Sequence, residues 1–150
     1  MPDRAAPPRT AEVRAYWNHR IHDLEISSHP PGSPGFFADL DEYHFDKLHH
    51  LLRLIDFNGY AGQRVLEVGC GVGAQTLTLA RNSPNAMITS IDISETSVAE
   101  ARRSVAAAGL SNVQIEQADI FHLHYGPDFF DHIFVCFVLE HLANPIMALQ

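Results

Sequence analysis

Three glycines and a carboxylate stand at spacings that suit a nucleotide-like ligand. Gly69, Gly71 and Gly73 lie in VLEVGCGVG, 65–73, which overlaps the apolar run RVLEV, 64–68. Glycine turns the backbone sharply and lets a ligand approach with no side chain in the way. AQTLTLARN, 74–82, reads as the helix that follows, so its free amides would face the same ligand. Asp92 comes nineteen residues after Gly73 and ends the next strand-like run, AMITSI, 86–91. A carboxylate there can accept hydrogen bonds from both ribose hydroxyls. Each feature also has a plainer reading. Glycines serve any tight strand-to-helix turn, and an acid before a helix favours its N-terminus. Their joint spacing favours the ligand.

Other reactive residue types carry less. His19, His22 and Glu25 are three apart, His44, His49 and His50 crowd a second helical pattern, and His122 and His124 flank Leu123. None is matched by a second motif of ligand spacing, so no metal is expected. Cys70 sits inside the glycine loop, where a helix N-terminus can lower a thiol's pKa. Cys70 and Cys136 are the only cysteines and form no CxxC pattern, which predicts a reducing, cytoplasmic compartment.

Holding Asp92 beside the glycines requires a parallel sheet. VQIE, 113–116, reads as a third strand and FDHIFVCFV, 130–138, as a fourth. Ser94 can cap a helix with Val98, Ala101, Val105 and Ala108 inward and Gly109 as its stop. Strand–helix alternation predicts an α/β, Rossmann-like fold with helices on both faces. Residues 61–150 form this ligand-binding domain. Before it, 11–60 read as a helical extension. Thr10 can cap a helix with Val13, Trp17, Ile21 and Leu24 in one stripe. SSHPPGSPG, 27–35, breaks it, and Phe37, Leu40, His44, Leu48, Leu51 and Ile55 mark a second helix. MPDRAAPPRT, 1–10, reads as a disordered tail.

The 150 residues amount to one globular domain, with a net charge of −8. That balance argues against nucleic acid or an anionic membrane as partner. The longest apolar run of the second half, IFVCFVL, is too short to span a bilayer, and the N-terminus shows no secretion signal.

Across 65–143 these residues resemble the class I S-adenosylmethionine-dependent methyltransferases. VLEVGCGVG looks like their first motif, with Glu67 in the acidic place two residues before the first glycine. IDIS, 91–94, resembles the second motif, QADIFHL, 117–123, the loop after strand three, and FDHIFVCFVLEHLANP, 130–145, the fourth strand and exit of the ubiquinone-biosynthesis-like, small-molecule branch. The resemblance implies S-adenosylmethionine as cofactor and strand order 3-2-1-4. It implies that Glu67 faces the methionine end, directly or through water, that Asp92 takes the ribose beside Ile93, and that Asp119 bonds the adenine amino group with Ile120 packed nearby. Gly69, Cys70, Gly71, Gly73 and Phe137 complete the implied cofactor site. An anionic wall of Glu67 and Glu140 suits a sulfonium.

His141 and Glu140, where strand four opens, are the nearest candidates for a catalytic base. Tyr16, Trp17 and His19 would belong to a lid over the acceptor, with Trp17 as simple core the plainer alternative. The exit lacks the Pro-rich and Pro-Cys runs of nucleic-acid-methylating members, so the resemblance implies a small-molecule acceptor. Two other readings remain open at this stage. One is an NAD(P)-dependent oxidoreductase, although the loop reads GxGxG and continues into Ala74. The other is a non-catalytic, methyltransferase-like interaction domain. Members of this type continue past strand four with three more strands, so the domain is expected to be incomplete at its C-terminus. The sequence also admits a homo-oligomer.

Overall fold

The computed structural model describes residues 10–20, 22–47, 49, 53 and 55–150. Four parallel strands form one sheet in the order β3-β2-β1-β4: β1 Arg64–Val68, β2 Met87–Asp92, β3 Val113–Gln117 and β4 His132–Val135. β1 lies at the centre, pairing Leu66 with Thr89 on one side and with Ile133 on the other. Four of its five residues are buried, which is why RVLEV reads as a nearly continuous apolar run. β2 runs one residue later than the sequence pattern predicts and takes in Asp92.

Among the described residues the bounded helices are α1 Thr10–His19, α2 Pro34–Lys47, α3 Ala74–Asn82, α4 Glu95–Ala107 and the single turn α5 Pro145–Ala148. Ser94 caps α4 by accepting from the Ser97 amide at 3.2 Å, and Gly109 takes the left-handed conformation just past its end. α3 and α4 both pack on the sheet face that carries Val65, Ile88 and Ile115, using Leu77, Leu79, Val98 and Ala101. The opposite face, with Leu66, Val68 and Ile91, is covered by Ala118, Ile120, Leu123 and Phe130 from the segment after β3. Alternation predicted helices on both faces. Among the described residues that second layer is irregular chain, because 118–131 holds a Gly126-Pro127 pair and no helical stretch.

Further boundaries differ from the sequence reading. α1 starts at Thr10, placed above at the end of the tail, and stops at His19. His22–Glu25 form a separate 3-10 turn, so His19, His22 and Glu25 share no continuous helix. Ile21 and residues 1–9 lie outside the described residues, as do Leu48, His50 and Leu51 of the second helical pattern; α2 ends at Lys47, and Ile55, the last residue of that pattern, is not helical. β4 covers 132–135, less than the run 130–138, and the chain leaves the sheet at Cys136. Ile133 is 64% exposed, so β4 is not buried on both faces as its composition suggested. Its outer edge has no paired strand among the described residues. No helix of the described residues is long and apolar enough to cross a membrane.

Candidate cofactor cleft

At the carboxyl ends of the strands a cleft of about 470 Å³ opens, within the range of small-molecule and cofactor sites. The floor comes from four strand exits. β1 supplies Gly69, Cys70 and Gly71, β2 supplies Asp92 and Ile93, the turn after β3 supplies Asp119 and Ile120, and the exit of β4 supplies Phe137, Glu140 and His141.

The glycine loop is pinned to β2. The amides of Gly69 and Cys70 both donate to the Ile91 carbonyl, at 2.8 and 3.0 Å. The Gly71 amide donates to Asp92 Oδ2 at 2.9 Å. Gly69 and Gly71 have φ of +78° and +52°, a region that suits glycine. A Cβ on Gly69 would collide with the Val138 side chain, whereas one on Gly71 would meet open space. That open space is the cradle a bound ligand would fill. Gly73, at φ +92°, precedes α3 and does not line the cleft; a Cβ there would lie 3.4 Å from Ala101 of α4, so it serves helix packing.

Asp92 Oδ1 accepts from the Ser94 amide at 2.8 Å. Both oxygens are therefore engaged, yet each keeps lone-pair capacity for a ligand hydroxyl. Burial raises the Asp92 pKa, and the amide bonds from Ser94, Gly71 and Ile93 oppose that rise. Asp119 closes a local turn by accepting from the Phe121 amide at 3.0 Å, and its other oxygen lies 3.2 Å from His122 Nδ1.

Glu67 does not line the cleft. Only 1% exposed, it projects toward α3 from the opposite side of β1 to Val68. Its Oε2 accepts from Thr76 Oγ1 at 2.5 Å and Ser90 Oγ at 2.6 Å. The strand's two-residue period puts Glu67 on the helix-covered face. Burial raises its pKa against the pull of the two hydroxyls. Cys70 is also buried, and burial together with the charges of Glu67 and Asp92 holds its thiol well above the ordinary value. This keeps the thiol protonated and inert near neutrality.

α1 and α2 roof the cleft. Thr10, Val13, Trp17 and Arg20 face it from α1 and its end, and Tyr43, His44 and Lys47 from α2. Trp17 meets His141 edge to face, with ring centroids 5.1 Å apart. The end of α1 is latched to the start of α4. The Glu95 amide donates to Asn18 Oδ1 at 3.0 Å, Thr96 Oγ1 to the Asn18 carbonyl at 3.2 Å, and Ser94 Oγ to the Trp17 carbonyl at 3.2 Å. Tyr16 and His19 point elsewhere. Tyr16 is 49% exposed, and His19 bonds back to the Ala15 carbonyl.

Arg20, Tyr43, His44, Lys47 and Gln75 line the cleft and were not singled out as site residues. A signal existed for three of them. Val13, Trp17 and Arg20 recur at helical spacing, as do Tyr43 and Lys47. His44 was assigned to an apolar core stripe; it is half-buried at the cleft. Phe137 takes φ +55° where β4 opens, a strained conformation of the kind that gathers at functional sites. No group of three or more metal-ligating side chains occurs among the described residues.

Residues 65–149 match the family model described as a methyltransferase domain. The chain belongs to that family, and its fold is that of the class I S-adenosylmethionine-dependent methyltransferases. It is 27% identical over 148 residues, 99% of its length, to the ubiquinone biosynthesis O-methyltransferase of Vibrio cholerae, and spans 59% of that enzyme. Among solved structures, it is similar to a SAM-dependent methyltransferase from Aquifex aeolicus, with a TM-score of 0.62 and 26% identity over 78% of this chain and 63% of the other. It shares the fold of the [4+2]-cyclase SpnF, with a TM-score of 0.71 and 24% identity over 95% of this chain and 54% of the other.

Proposed function

We propose that this chain binds S-adenosylmethionine in the cleft and directs its methyl group to a small-molecule acceptor. The observation that carries the reading is the joining of Gly71 to Asp92 at the cleft floor. One cleft holds a ribose-accepting carboxylate, a glycine cradle open to a ligand, and a third acid, Asp119, one strand further out.

The donor set fits the cofactor. Asp92 would accept ribose hydroxyls, Asp119 would face the adenine edge with Ile120 beside it, and Glu140 would supply negative charge near the cationic centre. When bound, S-adenosylmethionine supplies an electrophilic methyl group on a sulfonium. The chain's own work is then alignment and exclusion of water. α1 and α2 act as the lid. Trp17 packs on His141, which brings the candidate base under the roof. His141 takes a proton from an acceptor whose nucleophile must lose one. Glu67 ties β1 to α3 and β2 through Thr76 and Ser90, outside the cleft lining.

A small acceptor is supported by the roofed, largely apolar cleft and by the ubiquinone-pathway relative. The net charge of −8 disfavours nucleic acid. Free Cys70 and Cys136 support a reducing, cytoplasmic setting.

Calorimetric titration with S-adenosylmethionine, S-adenosylhomocysteine and NAD tests the reading. Saturable binding of the first two and none of NAD is expected. Binding of NAD alone, or of none of the three, would overturn it.

A further inference from the structure

The floor of the cleft and its roof meet at one serine. Ser94 is buried, with 0% of its surface exposed, and follows Asp92 by two residues. Its amide donates to Asp92 Oδ1 at 2.8 Å. Its hydroxyl accepts from the Ser97 amide and donates to the Trp17 carbonyl, both at 3.2 Å. A hydroxyl has one proton to donate, and here it goes to α1, 77 residues away in sequence. Capping α4 uses only the accepting half of the group. The donating half does something the cap does not need.

Trp17 stands at the far end of this link. Its carbonyl takes the Ser94 proton, while its indole lines the cleft and meets His141. α1 has no buried residues. Little apolar burial fixes it, so its docking is an equilibrium that a few hydrogen bonds can set. Asn18 adds two such bonds, to Glu95 and Thr96, each further along the chain from the carboxylate. Ser94 bonds Asp92 and α1 at once.

We propose that Ser94 is the positioning residue that couples the cofactor to the roof: a ligand on Asp92 and the seating of Trp17 over the cleft stabilise one another through it. This rests on the cofactor reading above. A ribose bonded to Asp92 fixes the carboxylate, the carboxylate fixes the Ser94 amide, and the same residue's hydroxyl holds α1. By linkage, a docked α1 favours the cofactor by the same factor. The roof therefore closes when the methyl donor is present, which is when water must be kept out.

Limited proteolysis reads this coupling. Trypsin cleavage after Arg14 and Arg20 is followed by mass spectrometry with and without saturating S-adenosylhomocysteine. In the unmodified protein the ligand is expected to slow cleavage about fivefold, the scale of one hydrogen bond. Ser94→Gly removes the hydroxyl and keeps the amide on Asp92, and glycine is well tolerated as an N-cap. In that variant the ligand should still bind, weakened by about fivefold or less, and should slow cleavage less than about twofold. Asn18→Ala should raise cleavage in both states and keep the ratio between them. A serine that merely caps α4 would leave the ratio intact in Ser94→Gly, and that result overturns the inference. So does a ligand that binds the unmodified protein without slowing cleavage, which leaves the cofactor reading standing. Loss of the ratio in Asn18→Ala, or a Ser94→Gly chain that does not fold or no longer binds, also overturns it. Failure of the unmodified protein to bind S-adenosylhomocysteine overturns the cofactor reading, and this inference with it.

Discussion

The Gly71 amide donates to Asp92 Oδ2 at 2.9 Å, and this bond makes the glycine loop and the end of β2 one unit. A carboxylate that fixes the loop also faces the space the loop encloses. Asp92→Ala should therefore weaken S-adenosylhomocysteine binding by about 10–100-fold, the scale of one or two charge-assisted hydrogen bonds. It should also lower stability by about 1–3 kcal/mol, because the Gly71 and Ser94 amides lose their acceptor. Calorimetric titration and urea unfolding measure the two effects. Undiminished affinity in a folded variant would remove Asp92 from the site.

The glycines of the loop should separate by phenotype. Gly69→Ala drives a methyl into Val138 and is expected to cost about 1–3 kcal/mol of stability. Gly71→Val places its side chain in open cleft space, with a backbone cost of about 1–2 kcal/mol from its positive φ. Its main effect should be a loss of cofactor-analogue binding of about tenfold or more. Unfolding midpoints and titrations read together would refute this split if Gly71→Val bound normally.

Glu67 predicts a pH signature in stability. Burial raises its pKa in the folded chain above the ordinary 4.5. Between those two values the folded state holds more protons than the unfolded one, so this group's stabilisation is complete below about pH 4.5 and is lost as pH rises through the folded value. Glu67→Gln removes that titration while its amide oxygen can still accept from Thr76 and Ser90. The variant's unfolding midpoint relative to the parent protein should climb from pH 4.5 toward neutrality. Parallel pH profiles for the two would show that Glu67 does not titrate as described.

Asn18 ties α1 to α4. Its side-chain oxygen takes the Glu95 amide and its carbonyl takes Thr96 Oγ1. Asn18→Ala removes the first of these, worth about 1 kcal/mol. The expected result is faster tryptic cleavage after Arg14 or Arg20 with little change in global unfolding, since α1 has no buried residues. An unchanged cleavage rate would mean that α1 is held by other contacts.

The fold shared with a [4+2]-cyclase shows that this architecture does not by itself specify methyl transfer. The chemistry rests on the strand exits and on what roofs them, and these two parts differed in legibility.

Much of the floor was legible in the sequence. The sheet elements and the loop at Gly69 to Gly73 are local: an apolar run, a turn that needs glycine, a helix that begins with a cap. Asp92 and the exit of β4 were located by their place at the ends of such runs, and Asp119 by the resemblance of QADIFHL to the family's loop after strand three. Those patterns depend on a few neighbouring residues, so they survive in a one-dimensional reading. What a side chain meets depends on elements far away in the chain. Glu67 looked like a cleft wall beside the glycines, but the strand's alternation turns it under α3, where Thr76 and Ser90 donate to its carboxyl group. The roof was decided by packing alone. Only the folded chain sets Asn18 on α4 and Trp17 on His141.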